Sequence, residues 1–121
     1  MKTFESVKDI APLAIWAGIT ARAVNGERAT MAVVELAPGA MAREHHHENE
    51  QLGFVIAGAL TMRIGTEKRE LHPGDTYVIP SHVPHEAQAG PDGCTVADVF
   101  APVRADWSAV KRLDPSPGRW P

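Results

Sequence analysis

Gly39 to Gly58 reads GAMAREHHHENEQLGFVIAG. Three consecutive histidines, His45, His46 and His47, stand in the middle of it, too far from either end for an expression tag. The segment that follows, Leu52 to Ala57, is an apolar run bounded by glycines and reads as a strand. In an extended chain alternate side chains share one face. His45, His47 and Gln51 therefore share one parity, and His46, Glu48 and Glu50 share the other. Two imidazoles on one face, with a third donor a few residues on, make half of a metal site.

A second stretch supplies the remainder. Gly74 to His85 reads GDTYVIPSHVPH: a glycine turn, a short apolar strand, then a loop marked by prolines. His85 is the natural fourth ligand. Together the two stretches resemble the cupin superfamily. The first cupin motif runs Gly, five residues, His, one residue, His, three residues, an acid, six residues, Gly. Gly39, His45, His47, position 51 and Gly58 meet every spacing. Gly74, Pro80 and His85 match the second motif. His82 replaces a glycine of that motif, Ala89 stands where an asparagine would be, and Gln51 replaces the usual glutamate. The resemblance covers roughly residues 29–101. Glu50 rivals Gln51 as a ligand, but parity and the spacing to Gly58 favour Gln51. His46 and His72 fit no ligand register and read as solvated. His82 either lines the mouth of the site or caps a turn.

The 121-residue chain suggests one domain, residues 1–121. Its 44% hydrophobic and 22% charged residues are ordinary for a soluble globule. A net charge of −3 and a pI near 6.0 argue against a nucleic-acid partner. No long apolar span predicts a membrane segment, and MKTFESVKDIAPLA lacks the apolar core of a signal peptide. The single cysteine, Cys94, excludes an internal disulfide, and the expected compartment is the cytoplasm.

Ten glycines and ten prolines divide the rest into short β-rich runs. Residues 1–12 form an irregular arm with at most one helical turn, and Leu13 to Trp16 is a short apolar run. Ile19 to Val24 is followed by Asn25-Gly26, a hairpin signal. Ala29 to Ala37 is a strand with Glu35 on its outer face. Gly58 is a turn, after which Leu60, Met62 and Ile64 point to the core. Gly65 to Lys68 is another turn. Arg69–His72, Thr76–Ile79, His85–Ala89 and Cys94–Phe100 are strands, and Gly90 to Gly93 is a plain turn. Asp106 caps a short helix, and about residues 106–121 form an irregular tail in which Trp107 and Trp120 cover the barrel or a partner. The pattern is all-β, a small antiparallel jelly-roll barrel. The cupin resemblance implies the same fold, with the metal inside one end, and a homodimer.

Three neutral imidazoles and a neutral amide leave a divalent ion its full charge. Such a site attracts anions and acts as a Lewis acid. Asp98 and Phe100 share a parity on the last strand. Either they face the cavity, or Ala97 and Val99 do and Asp98 is solvated. DVF-x-P-x-R-x-D, from Asp98 to Asp106, after a His, His, Gln, His set resembles the KdgF-type cupins of pectin and alginate breakdown. That resemblance implies opening of the ring of 4,5-unsaturated uronates to a linear keto-aldehyde acid. It implies metal ligands His45, His47, Gln51 and His85, and catalytic residues Asp98, Phe100 and Arg104. The implied cofactor is one divalent ion per chain, nickel, zinc, manganese or iron, and the implied partner is a small anionic sugar. Two alternatives are an Fe(II) cupin dioxygenase and a non-catalytic cupin that binds a small acid.

Overall fold

The computed structural model describes residues 2–121. Eight strands follow one another: β1 (Leu13–Trp16), β2 (Ile19–Asn25), β3 (Thr30–Leu36), β4 (Met41–His45), β5 (Glu50–Ile64), β6 (Glu67–Leu71), β7 (Thr76–Ile79) and β8 (His85–Ala101). Every pairing is antiparallel. The order is β1-β2-β3-β8-β5-β6, with β4 on β8 and β7 on β5, and the whole is a jelly roll. Single 3₁₀ turns lie at Val7–Asp9 and Ala105–Ala109. The Asn25-Gly26 signal does close the β2–β3 hairpin: the Gly26 amide donates to the Ala29 carbonyl, and the Thr30 hydroxyl donates to the Asn25 side chain.

β5 and β8 form the spine. They pair from Ile64 opposite His85 to Glu50 opposite Ala101. The sequence pattern places turns at Gly58 and at Gly90 to Gly93, but both strands run straight through these points. Gly58 and Gly93 take φ of 79° and 81°, and the register slips between Val55 and Ala57 and again between Gly58 and Leu60. The glycines therefore act as bulges that bend a continuous ribbon. Pro91 falls in the unpaired stretch, where its missing N–H costs no ladder bond. A Cβ on Gly58 would collide with the Gly93 carbonyl oxygen and lie 2.9 Å from the Cys94 Cα. Left-handed backbone alone costs a residue with a Cβ about 1–2 kcal/mol. Gly58→Ala is expected to lower unfolding stability by about 2 kcal/mol or more, read from the urea midpoint at unchanged slope. A loss below about 0.5 kcal/mol would show that the bend tolerates a side chain.

Inside the bent ribbon, alternate residues of β5 are buried in sequence: Gln51, Gly53 and Val55, then Leu60 and Met62 after the bulge. They pack with Ile19, Val34, Leu36, Ile79 and Val96. Each fully buried aliphatic side chain stabilises the fold by about 1.5–3 kcal/mol.

Glu35 does lie away from this core, yet it is not solvated. It accepts a hydrogen bond from Arg22 at 3.1 Å, and both side chains are buried. The cover is the irregular tail: the Ser116 carbonyl accepts from Arg22 at 2.7 Å, and the Arg119 amide donates to Glu35 at 2.7 Å. The tail is thus tied down by a buried ion pair.

Candidate metal centre

β4 ends at His45 and β8 begins at His85, and the two are register partners. His47 follows on the loop into β5. Asn49, buried beneath that loop, donates from its amide to the Pro102 carbonyl at 2.5 Å and so fastens the loop to the segment after β8. One ring nitrogen from each of His45, His47 and His85 lies within 4.8 Å of the other two.

The rings are oriented by one device used three times. Each Nδ1 faces a backbone carbonyl two residues away in sequence: Arg43 at 2.6 Å for His45, Asn49 at 2.9 Å for His47, Val83 at 2.9 Å for His85. A carbonyl only accepts, so each Nδ1 is the protonated nitrogen and each Nε2 of a neutral ring keeps its lone pair. Two observations then fit a cation. The His85 Nε2 is buried without a hydrogen-bond partner. The His47 Nε2 stands 3.2 Å from the Gln51 Oε1, two acceptors face to face. Unpaired buried acceptors are uncommon, and a metal ion satisfies both arrangements. Burial pushes the His85 ring down to about 4, and burial with the nearby Arg104 cation lowers His47. Both shifts favour the neutral ring that a metal requires.

Gln51 is buried and lines the cavity, whereas Glu50 is exposed, so of the two it is Gln51 that faces inward. Its side chain also acts on Asp98, favouring the ionised carboxylate. Asp98 and Phe100 are the inward pair of the last strand, while Val99 is exposed. Asp98 Oδ1 also accepts a 2.5 Å hydrogen bond from the Tyr77 hydroxyl. Burial raises the Asp98 carboxyl to about 6, against the Tyr77 and Gln51 hydrogen bonds and the Arg104 charge, which lower it.

The Phe100 ring lies 5.9 Å from that of His47 and 5.1 Å from that of Trp107. Arg104 places its guanidinium carbon 4.7 Å from the Phe100 ring centre and 4.5 Å from that of Trp107. The two rings meet edge-to-face, so the guanidinium sits in the corner they form and is attracted to both. Asp106 does not cap a helix. Arg104 occupies the cap position of the 3₁₀ turn, and Asp106 sits in its first turn, accepting from Arg104 Nε at 3.0 Å and Nη2 at 2.9 Å. The Arg104 Nη1 is unengaged among the described residues. His45, Gln51, His85, Asp98, Phe100 and Arg104 line one cavity of about 240 Å³, with Val34, Leu36 and Val96 among its apolar walls, and His47 stands beside Gln51 and Phe100 of that lining.

The remaining histidines stay outside. His46 is exposed, and the exposed His72 pairs with Glu70 at 3.2 Å. His82 adopts φ of 65°, the left-handed backbone that glycine favours, and its amide donates to the His47 carbonyl at 2.8 Å. It caps a turn, and through that bond it ties together the two loops that carry His47 and His85. Tyr77 and Asn49 carry no spacing signal. Tyr77 is the only tyrosine, on an apolar strand of the second motif, where a buried hydroxyl needs a partner.

The sequence matches the cupin domain family over residues 32–100, more than half of the chain. The chain is a cupin. It is 35% identical over 78 residues to the pectin degradation protein KdgF of Dickeya dadantii, covering 64% of this chain and 71% of that one. The structure of KdgF from Halomonas sp. is similar, with a TM-score of 0.80 at 30% identity over 88% of this cupin and 98% of that chain. An RmlC-like cupin from Shewanella frigidimarina shares the fold, with a TM-score of 0.82 at 23% identity over 88% and 96% of the two chains. No helix among the described residues is long and apolar enough to cross a membrane.

Proposed function

We propose that this cupin opens the ring of 4,5-unsaturated uronates, yielding the linear keto-aldehyde acid. The observation that carries the proposal is the convergence, at one cavity, of a buried carboxyl group, a guanidinium and a cluster of three histidines with Gln51. The likeness to proteins named for pectin degradation supports the substrate class.

An unsaturated uronate is a hemiacetal whose ring oxygen is also an enol ether. Opening it removes the proton of the anomeric hydroxyl, breaks the bond from the anomeric carbon to the ring oxygen, and leaves an enolate that is protonated at carbon 4. A divalent ion held by His45, His47, Gln51 and His85 supplies Lewis acidity and positive charge for the carboxylate and the developing enolate. Asp98 takes the hydroxyl proton and returns one to carbon 4. A carboxyl raised to about 6 is suited to both steps near neutrality. Arg104 binds the substrate carboxylate through the nitrogen that Asp106 leaves free. Phe100 packs on the sugar face. The route needs no electron transfer.

The test is the ultraviolet absorbance of the conjugated double bond in a lyase-generated unsaturated uronate. Metal-loaded protein is expected to accelerate its loss, with and without oxygen. No acceleration above the uncatalysed rate would reject the proposal, and strict oxygen dependence would point to the dioxygenase class.

A further inference from the structure

Tyr77, Gly53 and Asp98 are direct lateral neighbours on three adjacent strands, β7, β5 and β8. All three are buried. Adjacent strands lie about 4.8 Å apart, so the two outer backbones are separated by roughly 10 Å, with a glycine between them. A Cβ on Gly53 would run into both the Asp98 Oδ1 and the Tyr77 ring. The space that glycine leaves is taken by the tyrosine ring and the carboxylate, which meet there at 2.5 Å.

We propose that Tyr77 is a positioning residue, with Gly53 as the clearance it needs. The inference rests on the ring-opening reading. The χ2 torsion of an aspartate is broad and holds a carboxylate plane poorly by itself. The Tyr77 hydroxyl pins Oδ1 of a carboxylate that lines the same cavity as His45, Gln51 and His85. Pinning one oxygen sets the plane in which the other meets the substrate hydroxyl. The Tyr77 hydroxyl is committed to Asp98 and acts through that carboxylate.

The experiment measures kcat and KM for metal-loaded Tyr77→Phe, made in the wild-type chain and in Asp98→Asn. In the wild-type chain kcat is expected to fall about ten- to a hundredfold, the size of effect that slight misplacement of a reacting group produces. KM and metal content should stay the same. In the Asp98→Asn chain the same substitution should cost nothing further, because the group it positions is already disabled. Unchanged kcat with a lower melting temperature would reduce Tyr77 to a structural partner and overturn the proposal. Equal losses in both backgrounds would also overturn it. If the wild-type protein itself is inactive on the uronate, the ring-opening reading falls on that measurement alone. The crystal structure of Tyr77→Phe then decides: a rotated Asp98 carboxylate supports positioning, and an unmoved one refutes it.

Discussion

Asp98→Asn is expected to lower turnover by about 10²–10⁴-fold, the usual cost of removing a general base. Shape is nearly preserved. The amide oxygen of asparagine still accepts from Tyr77, so the bridge over Gly53 survives. Metal content and KM should therefore hold. Stability should change in a diagnostic way with pH. Burial raises the folded carboxyl from 3.8 to about 6, so in the wild type the folded state favours the protonated acid. That contribution is fully present below about pH 4 and is lost as pH rises through about 6. Two units correspond to roughly 3 kcal/mol. The asparagine variant does not ionise, so its stability advantage over wild type should grow between pH 4 and 7. Steady-state kinetics with denaturation at both pH values checks each part. A variant as fast as wild type would leave the ring-opening assignment intact and remove Asp98 from proton transfer. Arg104→Ala provides the contrast, raising KM first. Arg104→Lys should not restore it, because an ammonium cannot hold Asp106 with two parallel bonds and still present a free donor beside Phe100 and Trp107.

His85→Ala should empty the metal centre. Elemental analysis of wild-type protein is expected to give about one divalent ion per chain, falling to a small fraction in the variant, and activity should fall with it. The wild-type ring presents a buried Nε2 with no other partner, already held in the metal-binding tautomer by the Val83 carbonyl. Gln51→Glu separates holding the metal from using it. An anionic oxygen should keep the ion at least as tightly. The same substitution replaces the amide that favours the ionised Asp98 with a second carboxylate near it. Turnover should drop while metal content does not. A wild-type site that stays empty after reconstitution would defeat the metal assignment, and unchanged turnover in the glutamate variant would remove the argument from site charge.

The placement of the candidate ligands was legible because its geometry is local. Parity along an extended chain separates His45, His47 and Gln51 from His46 and Glu50 without any knowledge of the neighbours. Asp98 and Phe100 were only half legible. Alternation defines two faces but not which one is inside, and that is decided by Tyr77 and Gly53 on strands the sequence does not show to be adjacent. Gly58 and Gly93 read as turns because a left-handed glycine serves equally in a hairpin and in a bulge, and only the cross-strand partner distinguishes them. Glu35 read as solvated because its cover arrives from residues 116–119, far along the chain. Asp106 looked like a cap because aspartate commonly is one, but a guanidinium two residues earlier competes for the same oxygens and wins.

The bent β5–β8 ribbon divides the chain into stretches whose length is fixed and stretches whose length is free. Gln51 sits near one end of β5, while His85 pairs with Ile64 at the other, and both reach the same cavity because the ribbon folds back at its glycine bulges. One residue inserted between Gln51 and Gly58 would reverse the parity of everything before it, turning Gln51 out of the cavity and Glu50 in. An insertion at Gly65-Thr66 changes only the reach of the β5–β6 hairpin, since those residues lie outside the paired strands. Spacing within each half of the site is therefore rigid, and spacing between the halves is not.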